Sequence, residues 1–102
     1  HMPDCLEMPY TPAITESREG AAHHYRIGGN SCLSGDFVDG WDFAAPLKRG
    51  DRLTFEDMNH YTTVKTNMFN GISHPDLVLC HADGHLETLR HFDYADYKSR
   101  MD

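Results

Sequence analysis

Turn signals cut this chain at short intervals, and that limits what it can fold into. Gly28-Gly29, the run Pro46-Leu47-Lys48-Arg49-Gly50-Asp51, Asn70-Gly71 and Asp83-Gly84 each favour a chain reversal. His23–Ile27 alternates roughly and reads as a strand. In Arg52–Met58, Leu53 and Phe55 alternate with Arg52, Thr54 and Glu56, the period of a half-buried strand. Tyr61–Met68 carries the β-branched residues Thr62, Thr63, Val64 and Thr66, which fit a pleated surface. Leu77–His81 is a short apolar strand, and Asp83-Gly84 predicts a type I′ hairpin turn returning through His85–Phe92. Cys32–Val38 is mixed, and Tyr10–Gly20 reads as a loop. Asp93 is a candidate N-cap for a last helical turn or two over Asp93–Met101. The expectation is an all-β fold, a small Greek-key-like barrel or sandwich with a short C-terminal helix.

With 102 residues there is room for one domain, expected over residues 3–102, after a His1-Met2 pair that looks like a cloning remnant. A complete (β/α)8 barrel needs about 250 residues and is excluded. The net charge of −7 speaks against a nucleic-acid-binding face and agrees with a cationic partner. No apolar run reaches the roughly 18 residues of a membrane helix. Cys5, Cys32 and Cys80 are odd in number and form no Cys-x-x-Cys, so reduced thiols in a cytoplasmic protein are expected.

Three constellations could carry chemistry. Cys80, His81 and His85 flank the predicted hairpin, but sequential strand residues point to opposite faces and no fourth ligand follows, so no metal site is assigned. Gly28-Gly29 and Gly35 bracket Cys32 and Asp36, where a thiol could donate a proton and a carboxylate could anchor an amine; a buried strand cysteine is the plainer alternative. Tyr61 stands beside hydroxyl residues that can hold an anion, or it packs at a sheet edge.

Taken in order, these segments resemble a known family. Gly29-Asn30-Ser31-Cys32-Leu33-Ser34-Gly35-Asp36, then Pro46 to Met58, then His60 to Gly71 resemble the C-terminal β-domain of fold-type III (alanine-racemase-like) pyridoxal-phosphate decarboxylases. Leu6-Glu7-Met8-Pro9-Tyr10 and the stretch from Phe92 to Arg100 are similar to the subfamily acting on carboxylated polyamines, carboxynorspermidine and carboxyspermidine. The resemblance implies that Cys32 protonates the substrate α-carbon after carbon dioxide leaves. It further implies that Asp36 faces the distal amine, that Tyr61 contacts the phosphate of pyridoxal 5′-phosphate, and that Phe69-Asn70-Gly71 lies near a dimer interface. Ser31 replaces the Thr of the subfamily pattern, a conservative change. Leu33 stands where ornithine-type relatives have Asp and diaminopimelate-type relatives Glu, which disfavours those shorter substrates.

The imine-forming lysine of the family comes from an N-terminal (β/α)8 barrel, and none of Lys48, Lys65 and Lys98 matches it. The resemblance therefore implies a homodimeric enzyme with its site between subunits, of which this chain is the C-terminal part and is inactive alone. Another basic amino-acid decarboxylase, a non-catalytic β-barrel interaction module and a small metal-binding β-protein are the competing expectations.

Overall fold

The computed structural model describes residues 11–29 and 37–101, which form parts of two compact units, His1–Thr66 and Asn67–Asp102. Among the described residues there are four strands in two antiparallel two-stranded sheets, with short helices. No closed barrel is present among them; the expected barrel reduces to these two separate sheets.

In the first unit, β1 (His23–Gly28) pairs with β2 (Phe37–Phe43). Along β1, His23, Tyr25 and Ile27 are half-buried while His24, Arg26 and Gly28 are exposed, the alternation expected of a one-sided strand. On β2 the register shifts: Tyr25 faces Trp41 but Arg26 faces Asp39, leaving Gly40 as an extra residue with φ of 125°. This bulge reverses the parity of the strand. Val38, Trp41 and Phe43 therefore share the inner face, although no single period connects them. Sequence alternation shows only a mixed segment over Cys32–Val38 for that reason, and β2 is not legible from it.

The core is small. Ile14, Trp41 and Phe43 are buried, with Pro12 fully enclosed, and Tyr25, Ile27, Leu47, Leu53 and Phe55 pack around them. The Tyr25–Phe43 and Trp41–Phe55 rings meet edge to face at 5.8 and 5.5 Å. Burying the indole leaves an N–H to satisfy, and Trp41 Nε1 donates to the Pro12 carbonyl at 2.9 Å. The segment expected to be loop thus supplies two core residues. It is fixed by an isolated bridge between Ile14 and Phe55 and by backbone bonds from Thr15 N to Thr54 O and from Glu56 N to Ala13 O. The expected alternation in Arg52–Met58 holds for burial, with Leu53 and Phe55 half-buried, but its ladder is that single bridge. Glu16 completes the joint: its carboxylate accepts from both the amide and the hydroxyl of Thr54, and these bonds hold it below its ordinary pKa.

The Tyr61–Met68 strand is overturned. Tyr61–Lys65 is a five-residue helix, α1, with no buried residue. Threonine favours strands where it packs against neighbours, and among the described residues this segment pairs with no strand. The Thr66 hydroxyl instead bonds back to the Thr62 carbonyl, as threonine does on helices. Lys65 lies 5.3 Å from the Tyr61 ring centroid, one helical turn away.

In the second unit, Phe69–Gly71 forms a 3-10 turn in which Asn70 and Gly71 have φ of 58° and 79°, values that Asn and Gly tolerate. β3 (Leu77–Cys80) pairs with β4 (Leu86–Arg90). Their turn is not type I′. Asp83 does not have positive φ; Gly84 does, at 90°. Gly84 N donates to His81 O and His81 N to His85 O, closing a three-residue loop over Ala82, Asp83 and Gly84. Asp83 stabilises it differently from expectation: its carboxylate accepts from His85 N and meets the His85 ring at 2.6 Å. The closing helix α2 (Tyr94–Ser99) starts as expected at Asp93. A capping box is formed: Asp93 accepts from Ala95 N and Asp96 N, and Asp96 accepts from Asp93 N. Asp96 also takes Arg90, at 2.7 Å, tying β4 to α2.

Candidate active site

Of the three residues singled out for catalysis and binding, Tyr61 is described and Cys32 and Asp36 lie outside the described residues. The described neighbours on either side of that segment are informative. Gly28 ends β1, Phe37 opens β2, and the two are register partners. The strands carrying the segment are therefore paired up to its two ends. Tyr61 opens α1 and is 43% exposed, so the sheet-edge tyrosine considered from sequence is replaced by a phenol on a short helix. A phenol O–H can donate to an anionic oxygen.

Sequence reasoning missed a charged clamp on β1–β2. His24 Nδ1 meets Asp42 Oδ1 at 2.6 Å, and Nε2 meets Asp39 Oδ1 at 2.8 Å. Asp39 and Asp42 are three apart and would face opposite ways in a regular strand. The Gly40 bulge brings both to the outer face beside His24. The signal was the glycine inside a strand, a common bulge marker. Carboxylates only accept, so both ring nitrogens donate and the imidazole is doubly protonated in this arrangement. The bond to Asp42, then that to Asp39, hold His24 above its ordinary value of 6.5. The bond from His24, helped by Gly20 N–H, holds Asp42 below its ordinary 3.8.

The signs give a pH window. A raised histidine contributes stability fully below its unfolded value, about 6.5, and loses it as pH rises through the higher folded value. A lowered carboxylate contributes above about 3.8 and loses it as pH falls through the lower folded value. The clamp is thus strongest between these limits. The melting-temperature difference between the protein and His24→Ala should be largest near pH 5 and shrink as pH rises past neutrality. A difference that stays constant up to pH 9 would show that the clamp does not depend on His24 charge.

Three further histidines take carboxylates as well. His81 bonds Glu87, His85 bonds Asp83 and His91 bonds Asp76. The His81 and His85 rings stack at 3.9 Å with 7° between planes, so the hairpin does bring them together, but each ring has its own acid. Among the described residues, no group of three or more His, Cys, Asp or Glu side chains is arranged to hold a metal ion. In the second unit, Met68, Ile72, Tyr94 and Tyr97 border a cleft of about 260 Å³ beside the Phe69–Gly71 turn. Asp93, at its wall, is committed to capping α2.

No family model matches the chain. Curated proteins do. The chain is 50% identical over 103 residues to carboxyaminopropylagmatine decarboxylase of Synechocystis sp., which covers 99% of this chain and 27% of that protein. It is 38% identical to the carboxynorspermidine/carboxyspermidine decarboxylases of Campylobacter jejuni and Herminiimonas arsenicoxydans, covering 30% and 27% of those proteins. The crystal structure of carboxynorspermidine decarboxylase from Campylobacter jejuni, complexed with norspermidine, superposes with a TM-score of 0.83 at 38% identity. That match covers 98% of this chain and 31% of the solved one. The chain spans under a third of the length of the relatives it matches. Over nearly its whole length it is homologous to the C-terminal ~30% of carboxynorspermidine and carboxyaminopropylagmatine decarboxylases.

Proposed function

We propose that this chain is the C-terminal part of a pyridoxal-phosphate-dependent decarboxylase that releases carbon dioxide from a carboxylated polyamine. Carboxynorspermidine or carboxyspermidine would give norspermidine or spermidine. The observation that carries the reading is continuity: three decarboxylases and one solved decarboxylase structure each align with 98–99% of the chain. The full enzyme would be a cytoplasmic homodimer with its site between subunits. In it the two sheets seen here would join further strands as a β-barrel beside an N-terminal (β/α)8 barrel.

When bound, pyridoxal phosphate supplies an electron sink for the pair left by the departing carboxylate. The residues of this chain fit the outer parts of such a site. Tyr61, half-exposed on α1, would donate its phenol proton to a phosphate oxygen. Cys32 would hold the proton that is delivered to the substrate α-carbon. Asp36 would accept hydrogen bonds from the distal ammonium group. Leu33 offers no charge to a short diamino acid, which fits a longer substrate anchored further away. Lys65 lies against the Tyr61 ring and is matched to no imine-forming role.

One observation favours a second substrate. Identity is 50% to the relative named for carboxyaminopropylagmatine and 38% to those named for carboxynorspermidine. An agmatine-derived substrate ends in a guanidinium, which a carboxylate such as Asp36 can take with two parallel hydrogen bonds. Turnover of the full-length protein with carboxyaminopropylagmatine, carboxynorspermidine, carboxyspermidine, diaminopimelate and ornithine separates the alternatives.

The 102-residue chain alone should show no stable absorbance band from bound pyridoxal phosphate and no carbon dioxide release, while the full-length protein shows both. A stable band in the short chain would overturn the assignment of the imine-forming lysine to the missing part.

A further inference from the structure

The cleft of the second unit takes all its described lining from that unit. Two local features shape it. Asn70 and Gly71, with φ of 58° and 79°, turn the chain so that Met68, Ile72 and Ser73 all border the cleft. The capping box at Asp93 starts α2 and sets Tyr94 and Tyr97, three residues apart, as neighbours on the helix surface. Their ring centroids lie 6.3 Å apart with 47° between planes, an open angle rather than a stack. Tyr97 lies against the turn: a Cβ on Gly71 would come within 3.9 Å of its ring carbon Cζ.

The walls differ in chemistry. Met68, Ile72 and Tyr97 are half-buried, whereas Ser73, Asp93 and Tyr94 are exposed. Asp93 is the one charged residue in the described lining. The helix cap uses half of its carboxylate. Ala95 N and Asp96 N both donate to Oδ1, and Oδ2 accepts no hydrogen bond among the described residues. The same cap occupies two amides that would otherwise attract an anion. Aromatic faces attract cations, and a carboxylate oxygen accepts a strong hydrogen bond from an ammonium group. A volume of about 260 Å³ is just below the range of about 300–1,000 Å³ that holds drug-sized ligands, and it suits a short linear chain.

We propose that this cleft binds a linear alkylammonium ion. Its methylenes pack on Met68 and Ile72, and its ammonium group lies between the tyrosine rings and Asp93 Oδ2. The choice of a polyamine as the ligand rests on the decarboxylase reading; the preference for a cation rests on the cleft alone. The net charge of −7 draws such a cation to every acidic patch, so the place where it settles decides the matter.

Norspermidine is titrated into the 102-residue chain without pyridoxal phosphate and followed by NMR shifts of amides and tyrosine rings. Saturable shifts are expected at Met68, Ser73, Tyr94 and Tyr97. Asp93→Asn keeps a capping oxygen and removes the charge, and should weaken binding about tenfold or more. Tyr94→Ala should weaken it about two- to fivefold. Neutral 1,6-hexanediol should leave these signals in place. Absent saturation, or shifts centred on Asp39, Asp42 and Asp83 instead of the cleft, would overturn the proposal. So would undiminished binding by Asp93→Asn, or equal binding of hexanediol. Decarboxylation is assayed separately on the full-length protein. Cleft binding without turnover sinks the enzymatic reading alone; turnover without cleft binding sinks this proposal alone.

Discussion

Replacing Cys32 by alanine in the full-length protein is expected to lower kcat by about 10²- to 10⁴-fold, the usual contribution of a positioned proton donor. Affinity for pyridoxal phosphate should change little. The asymmetry follows from the proposed division of labour, in which Tyr61 would help hold the phosphate while the thiol would act only on the substrate carbon. Tyr61→Phe should show the opposite pattern, weakening cofactor retention more than the chemical step. Cys32→Ser, with a far less acidic hydroxyl, should recover little. Wild-type turnover in Cys32→Ala would remove the thiol from the mechanism and leave the buried-cysteine alternative standing.

The second large effect is structural. Trp41→Ala should cost about 3–5 kcal/mol, the range for truncating a buried aromatic side chain. Trp41 is one of three buried hydrophobic residues that form the centre of its unit, it contacts Phe55 edge to face, and its indole satisfies the Pro12 carbonyl. Small domains have a total stability of only about 5–15 kcal/mol, with the smallest at the low end. The first unit is therefore expected to lose its cooperative thermal transition by circular dichroism. Trp41→Phe keeps most of the apolar area and removes only the donor, so it should fall between, with a loss of about 1–3 kcal/mol for the stranded carbonyl. If Trp41→Ala melts like the parent, the core lies elsewhere.

The elements legible in the sequence were those governed by local rules. β1 shows a period of two, β3 is a compact apolar run, and Asp93 precedes an α2 whose third residue closes a capping box. What escaped was set by tertiary context. β2 hid behind the parity change at Gly40, and the isolated bridge drew Ile14 out of an apparent loop into the core. α1 runs against threonine's preference for a pleated surface, and among the described residues it pairs with no strand. The hairpin turn was placed correctly but given the wrong geometry, since Asp83 uses its carboxylate rather than a left-handed backbone. Of the candidate site, Cys32, Asp36 and Tyr61 rest on an ordered set of residues resembling a family, and Cys32 and Asp36 lie outside the described residues. The His24 clamp was not legible, because two aspartates three apart on a strand become neighbours only once a bulge intervenes.

Gly40 also acts as a phase shift in the numbering of β2. Val38 points inward before it, and Trp41 and Phe43 after it. Because Gly40 is the one residue of the bulge without a partner on β1, its removal would leave Val38, Trp41 and Phe43 inward and Asp39 and Asp42 outward, in an uninterrupted ladder. Length at this point is therefore free to change by that one residue, whereas loss of a partnered neighbour such as Asp39 takes a carboxylate from His24.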